Sequence, residues 1–274
     1  MTAWLDELDL DPEGAWLRMG TRTLGDRPWV FTAGDVEGEL AQRRELIETR
    51  APEVLAEPAE SLEPARELVQ LVVGGGLSVA DGPSPLRRLG VSLQEDFCLL
   101  ERSEIGWDLR AAVLCFPSRW RLRDKIDRPL TDVHGPVEGY ADALADRVNR
   151  LIDGLGDRIV LRRNWFLHPD PSLFQPDRPA GGDPTIGSES CGSELHVRSE
   201  RQTLRLLPQS QWCVFTIRIE QCSLGEAVNR RPAAFSEWIS NASSEHAEHR
   251  GVTSHQRSEV REWLGRQTAS TTRR

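Results

Sequence analysis

The sequence predicts an α+β fold in which an antiparallel sheet is covered by helices. Three observations lead there. Helical patterns come first, a strand pair follows, and another helix precedes the remaining strands, an order that fits a segregated α+β layout better than a doubly wound parallel sheet. From Gly106 to Phe116 the chain alternates Trp107, Leu109, Ala111, Val113 and Cys115 with Asp108 and Arg110, the two-residue period of a half-buried strand. Phe97–Leu100 precedes it across the short polar stretch Arg102-Ser103-Glu104, so the two form an antiparallel hairpin.

The elements follow in order. Residues 1–34 mix Trp4, Trp16 and Trp29 with turn residues and read as an ordered, irregular lead-in. Asp35 is an N-cap with Glu37 and Glu39 in the first turn, opening a helix to about Glu48. A second helix covers Leu62–Val73, where Leu68, Leu71 and Val72 share a face and Gly74-Gly75-Gly76 stops it. That glycine triplet follows a helix and lacks a Gly-Lys-Ser/Thr, so it is a stop and no phosphate loop. After the hairpin, Pro117 and Pro129 bracket a helical or irregular segment. Glu138–Leu155 is a helix with Leu144, Val148, Leu151 and Ile152 on one face, and Arg158–Leu167 is a strand. Residues 168–193 form a long loop rich in Pro, Gly, Ser and Asp, the kind that serves as a lid or binding loop. His196 lies in a strand, Trp212–Ile219 is another, and Pro232–Ile239 belongs to a terminal helix. Residues 1–252 are expected to form one domain, and 253–274 a polar C-terminal tail, partly helical or disordered.

The bulk properties narrow the functions. The chain has 274 residues with 38% apolar content and a net charge of −9, which supports a sizeable core and argues against binding nucleic acid through a general positive field. Five cysteines, with no Cys-x-x-Cys pair and no basic leader, point to a reduced cytoplasmic setting. No apolar run approaches the roughly 20 residues of a membrane span. Lys125 is the only lysine, so the basic patches are guanidinium patches, suited to carboxylates and phosphates. A nucleophile elbow, a zinc helix and a dinucleotide fingerprint are all missing.

Unusual residue combinations concentrate between Leu89 and Asn164. Gln94-Glu95-Asp96, Gly106-Trp107, Cys115-Phe116-Pro117-Ser118-Arg119-Trp120-Arg121, Asp132-Val133-His134-Gly135-Pro136-Val137 and Arg163-Asn164-Trp165 occur in that order. Leu195-His196-Val197-Arg198-Ser199-Glu200-Arg201, Leu207-Pro208 and Phe215-Thr216-Ile217-Arg218 follow. Together they resemble the haem-dependent oxidative N-demethylase alpha-subunit family. The resemblance spans about Arg18 to Val252. It implies a core like a Per-Arnt-Sim (PAS) domain, with haem held against the sheet by helices. It also implies haem b as cofactor, and oxidation of the N-methyl group of a small secondary amine such as dimethylamine to formaldehyde. Electrons would come from separate reductase subunits or a ferredoxin-type donor, since this chain has no flavin, nicotinamide or iron–sulfur motif. The alternative is a non-catalytic PAS-like haem or small-ligand sensor.

Under that resemblance the residues take roles. His134 is the leading axial ligand, because neutral imidazole is a common iron donor and Gly135-Pro136 fixes the chain beside it. His196 and Cys115 compete with it. Arg119, Arg121, Arg198 and Arg201 are the expected partners of the haem propionates, and Trp107, Trp120 and Trp165 supply flat walls. Tyr140, the sole tyrosine, is the expected catalytic residue, orienting bound oxygen or the amine. The arginines beyond those needed by haem offer a dock for an acidic electron donor.

Overall fold

The structure is a computed structural model that describes residues 2–14, 19–133 and 144–271. Eight strands form one sheet: β1 (Arg22–Thr23), β2 (Leu55–Ala56), β3 (Asp96–Arg102), β4 (Trp107–Val113), β5 (Arg128–Pro129), β6 (Val160–His168), β7 (His196–Leu206) and β8 (Cys213–Ser223). Their order is β1-β6-β7-β8-β3-β4-β2, with β5 also lying on β4. Every pairing between these strands is antiparallel. The α+β architecture expected from the pattern is therefore the one observed. Among the described residues the helices are α1 (Val36–Thr49), α2 (Ala51–Val54), α3 (Leu62–Gly74), α4 (Pro85–Ser92), α5 (Leu130–Val133), α6 (Ala145–Asp153), α7 (Cys191–Glu194), α8 (Leu224–Arg230), α9 (Pro232–Asn241), α10 (Ser244–His249) and α11 (Ser254–Thr271).

Local chemistry accounts for most boundaries. The Asp35 carboxylate accepts the Gly38 N–H at 3.0 Å and starts α1. Leu68, Val69 and Val72 bury one face of α3, which ends in the glycine triplet. The β3–β4 hairpin closes through Ser103 N–H to Gly106 O at 2.7 Å, and a register shift between Leu99 and Leu100 lets Arg110 bulge out of the ladder. Several short helices were missed by the pattern, α4 and α8 among them. α4 begins at Ser84, whose hydroxyl accepts the Arg87 N–H, with Pro85 in the first turn. α8 begins directly at the end of β8 through a reciprocal capping box between Ser223 and Glu226. Both carry readable start signals, but each is too short to show a period.

The long strands β6, β7 and β8 present two unlike faces. On one, Leu161, Trp165, Leu167, Val197, Thr203, Val214 and Thr216 are buried, under the N-terminal segment and the C-terminal helices. Trp165 packs edge-on against Trp238 at 4.8 Å and Phe235 at 6.2 Å, and its Nε1–H donates to Asp9 O. This core continues through Val260, Trp263 and Leu264 of α11. The 253–274 stretch, expected to be a polar and partly helical or disordered tail, carries a helix with a buried face: residues 256, 260, 263 and 264 share one side, and the Trp263 ring occupies the space a Cβ on Gly192 would take, 2.7 Å away. Gly251, at φ +82°, stops α10 and turns the chain so that Arg250 O accepts the Leu167 N–H of β6.

The other face carries Arg162, Asn164 and Phe166 of β6, Arg198, Glu200, Gln202 and Leu204 of β7, and Phe215, Ile217, Ile219 and Gln221 of β8, by strand alternation and register. The larger hydrophobic core meets its two ends. One end is packed by Phe116, Leu122, Leu173 and Phe174, the other by Ile152 and Leu155 beside Leu206 and Cys213. Between them Arg162, Asn164, Phe166, Gln202, Leu204 and Phe215 stay partly exposed. We call these the sealed and the half-open faces.

Candidate functional site

The half-open face has an apolar floor and a polar centre. Thr21, Val160, Arg162, Gln202, Leu204 and Phe215 line a shallow depression on it. Next to this, Glu200 is 7% exposed and accepts a hydrogen bond from Gln202 Nε2 at 2.7 Å. Asn164 stands directly across from Glu200 on β6, and its Oδ1 accepts from Arg250.

At the end of the same face, His168 and His196 are cross-strand partners. His168 is 5% exposed, and the Nδ1 atoms of both rings have no hydrogen-bond partner. Burial, followed by the nearby charges of Arg119 and Arg198, pushes His168 down to about 4, so its imidazole is neutral at physiological pH. The sequence reading weighed His196 but passed over His168, because it ended the strand at Leu167. The observable signal was the His-Pro step at 168–169, which lengthens the strand by one residue.

The residues expected from the sequence to act together are distributed differently. His134 and Tyr140 lie outside the described residues. Arg119 has a φ of +65° and turns its guanidinium onto Asp183, with two contacts of 2.5 Å. Arg121 grips Asp177 in the same bidentate way. Trp120 and Arg121 line a second shallow depression with Glu53, Pro117, Arg123 and Pro176, away from Glu200. Arg198 is fully buried and directs its donors to Ser118 Oγ and to the carbonyls of Phe116, Pro117, Ser172 and Leu173. Arg201 points to the sealed face, where it donates to the carbonyls of Pro28 and Trp29. Neither the Arg198 nor the Arg201 guanidinium opens onto a depression, so both act as joints between segments of the chain.

Two more expectations change with this geometry. Cys115 is fully buried and its thiol is pushed up to about 12 by burial, which keeps it protonated in the chain by itself. Trp165 belongs to the sealed face, and the Trp107 ring is tied to Asp153 by its Nε1–H at 3.0 Å. Phe166 and Phe215, which were not assigned a cofactor role from the sequence, are aromatic rings on the half-open face.

The family model described as haem-dependent oxidative N-demethylase, alpha subunit-like, matches residues 76–259, about two thirds of the chain. The chain belongs to this family. The matched span runs from the end of α3 into α11 and includes every strand except β1 and β2. It takes in both histidines of the pair, Glu200 and all five of the site residues just located. Membership makes this an alpha-subunit-like chain of a haem-dependent oxidative N-demethylase type, a kind of protein that works with further subunits. Among the described residues no helix is long and apolar enough to cross a membrane.

The half-open face fits a haem in its chemistry. Haem brings four nitrogens to its iron and asks the protein for one or two axial donors. A group of three or more metal-binding side chains is therefore not required, and none occurs among the described residues. Leu204 and Phe215 offer apolar surface for a flat ring toward one end of the face, whereas Phe166 and the histidine pair, whose neutral His168 imidazole is the donor type iron takes, stand toward the other end.

Proposed function

We propose that this chain is the haem b-bearing subunit of an oxygenase that removes an N-methyl group from a small secondary amine, such as dimethylamine, and releases it as formaldehyde. Family membership is the observation that carries this reading, and the half-open sheet face supports it. The five long strands run across the sheet as β6-β7-β8-β3-β4, and the segment between β4 and β6 borders the half-open face. That layout supports a PAS-like core with the cofactor between sheet and helices.

When bound, haem supplies the activation of dioxygen that oxidises the N-methyl carbon. The chain's own residues do the rest. His134, in the segment linking α5 to α6, would hold the haem iron through its imidazole. Tyr140 in the same segment is proposed to orient the amine or oxygen through its hydroxyl. Leu204 and Phe215 would hold the flat ring and keep water from it. Arg119 and Arg121 remain candidates for the propionates only by exchanging Asp183 and Asp177 for them, whereas Arg198 and Arg201 hold the surrounding chain in place. Electrons enter from a separate reductase subunit or a ferredoxin-type donor, and a cytoplasmic location suits five free thiols.

The test is an absorption spectrum of ferric, ferrous and carbon-monoxide-bound protein beside His134→Ala, followed by dimethylamine-dependent formaldehyde release with a reductase. The expected result is a stoichiometric Soret band that shifts or disappears in the variant. Folded wild-type protein without a Soret band overturns the oxygenase reading. A Soret band with no formaldehyde leaves a haem sensor instead.

A further inference from the structure

The buried carboxylates of this chain are satisfied in different ways. Asp96 takes the Arg43 guanidinium at 2.7 Å and the N–H groups of Cys115 and Phe116. Glu67 takes the N–H groups of Gln209 and Ser210. Glu95, under the segment that crosses the sealed face, accepts the Phe31 N–H and resolves its burial by holding a proton more tightly than usual. Asp96, opposite Ile217, and Glu200, opposite Ile219, share the half-open side of the sheet, and of these two only Asp96 has a guanidinium partner.

Arg162 on the neighbouring strand and Arg250 at Asn164 stand near Glu200, but neither forms an ion pair with it. Among the described residues Glu200 makes one hydrogen bond, to the neutral amide of Gln202, and it belongs to no ion pair. The nearest fixed positive charge along the strand is Arg198, whose guanidinium is committed to Ser118 and four main-chain carbonyls. Ile219 lies opposite Glu200 on β8 and Asn164 opposite it on β6. A carboxylate that is 7% exposed beside an apolar floor is costly unless a donor or cation completes it.

We propose that Glu200 recognises the positive charge of a small protonated amine on the half-open face. The inference rests on the amine-oxidising reading above and names the residue that selects the substrate. A dimethylammonium ion has two N–H groups and two methyl groups. One N–H meets the Glu200 carboxylate in a charge-assisted hydrogen bond. Gln202, having given its NH₂ to Glu200, keeps its carbonyl oxygen for the other. The methyl groups rest on the apolar side of the face, with Ile219 and Phe166. Discrimination against a neutral molecule of the same shape follows, because only a cation pairs the buried charge.

The experiment is calorimetric titration of dimethylammonium chloride into the full chain, haem-loaded and haem-free, for wild type, Glu200→Gln and Glu200→Asp, with thermal melts alongside. Wild type is expected to bind, Glu200→Gln to lose about tenfold or more in affinity, and Glu200→Asp to lose less because the charge is kept. Equal binding by wild type and Glu200→Gln overturns the proposal, as does no binding by wild type. Should Glu200→Gln fail to fold, Glu200→Asp is read instead: its carboxylate is withdrawn by one methylene, so weakened binding supports the role and unchanged binding overturns it. The two readings separate cleanly. Glu200-dependent binding in a protein without a Soret band removes the oxygenase but keeps this site, and a Soret band with Glu200-independent binding removes only this site.

Discussion

The two faces of one sheet, built by the same three strands, have been finished in opposite ways. On the sealed face most polar side chains are matched within the chain, although Glu95 Oε2, Arg218 Nε and Trp238 Nε1 have no partner. Arg163 meets Ser199 and Glu220, Arg218 meets Glu39 and Ala33 O, and the Thr203 and Thr216 hydroxyls bond each other at 2.6 Å. The half-open face leaves the Nδ1 atoms of the His168–His196 pair without a partner and gives Glu200 a single hydrogen bond. Buried polar groups in native proteins are nearly always satisfied. The two faces therefore differ in where their unpartnered groups sit: inside the packed core on the sealed side, on a partly exposed strand face on the other.

The comparison is tested hardest by two buried side chains that the sheet separates. Trp238 is fully buried under the sealed face, and Trp238→Ala is expected to cost about 3–5 kcal/mol. Arg198 is on the opposite side of the sheet, yet its hydrogen bonds tie β7 to the 116–118 and 172–173 segments, so Arg198→Ala is expected to cost at least about 3 kcal/mol by leaving several buried carbonyls unpaired. Chemical denaturation measures both. A haem contact alone would make Arg198→Ala weaken cofactor binding with stability intact, and that result would return Arg198 to the propionates.

A pH series sharpens the contrast, because Glu95 and His168 pull in opposite directions. Glu95 is raised from 4.5 to about 7 by burial. Between those values the folded state holds a proton that the unfolded state has lost, so its contribution falls as pH rises and is gone above about 7. His168 is lowered from 6.5 to about 4. In that window the unfolded state binds the proton, so its contribution grows with pH and is fully present above 6.5. Each effect is on the order of 3 kcal/mol across its window. Melts from pH 4 to 8 are expected to show Glu95→Gln gaining on wild type as pH rises through 4.5–7. His168→Gln should flatten the acid side instead. Parallel curves for all three proteins would remove the electrostatic part of the argument.

Much of the fold was legible in the sequence, and less of the site. The β3–β4 hairpin, the Asp35 cap and the apolar face of α3 were visible because they depend on neighbours within a few residues. The resemblance motifs were visible too, but their pairing in space was not. Gln94 bonds both the N–H and the carbonyl of Ala33, Asp96 ties the start of β3 to Cys115 and Phe116, and Arg198 caps the Phe-Pro-Ser segment from 80 residues away. Such joints depend on topology, which no local pattern carries. The same limit explains why Arg198 and Arg201, separated by three residues on a strand, were read as one group: an odd spacing places them on opposite faces. The C-terminal helix was underestimated because its buried face has only four contributors spread over nine residues.

The smallest expected effect bears most directly on what the half-open face is for. Phe215 is partly exposed there, so Phe215→Ala removes less buried surface than a core truncation and is expected to cost about 1–2 kcal/mol. A residue kept only for packing would show that loss and nothing else. A ring that forms the floor for a flat cofactor would also lose affinity for it, because the aromatic surface is worth more to the ligand than to the free protein. Haem titration followed at the Soret band, compared with Phe97→Leu in the fully buried part of β3, separates the two. Weaker haem binding in Phe215→Ala but not in Phe97→Leu assigns the face to the cofactor, and equal changes in both would reduce the half-open face to loose packing.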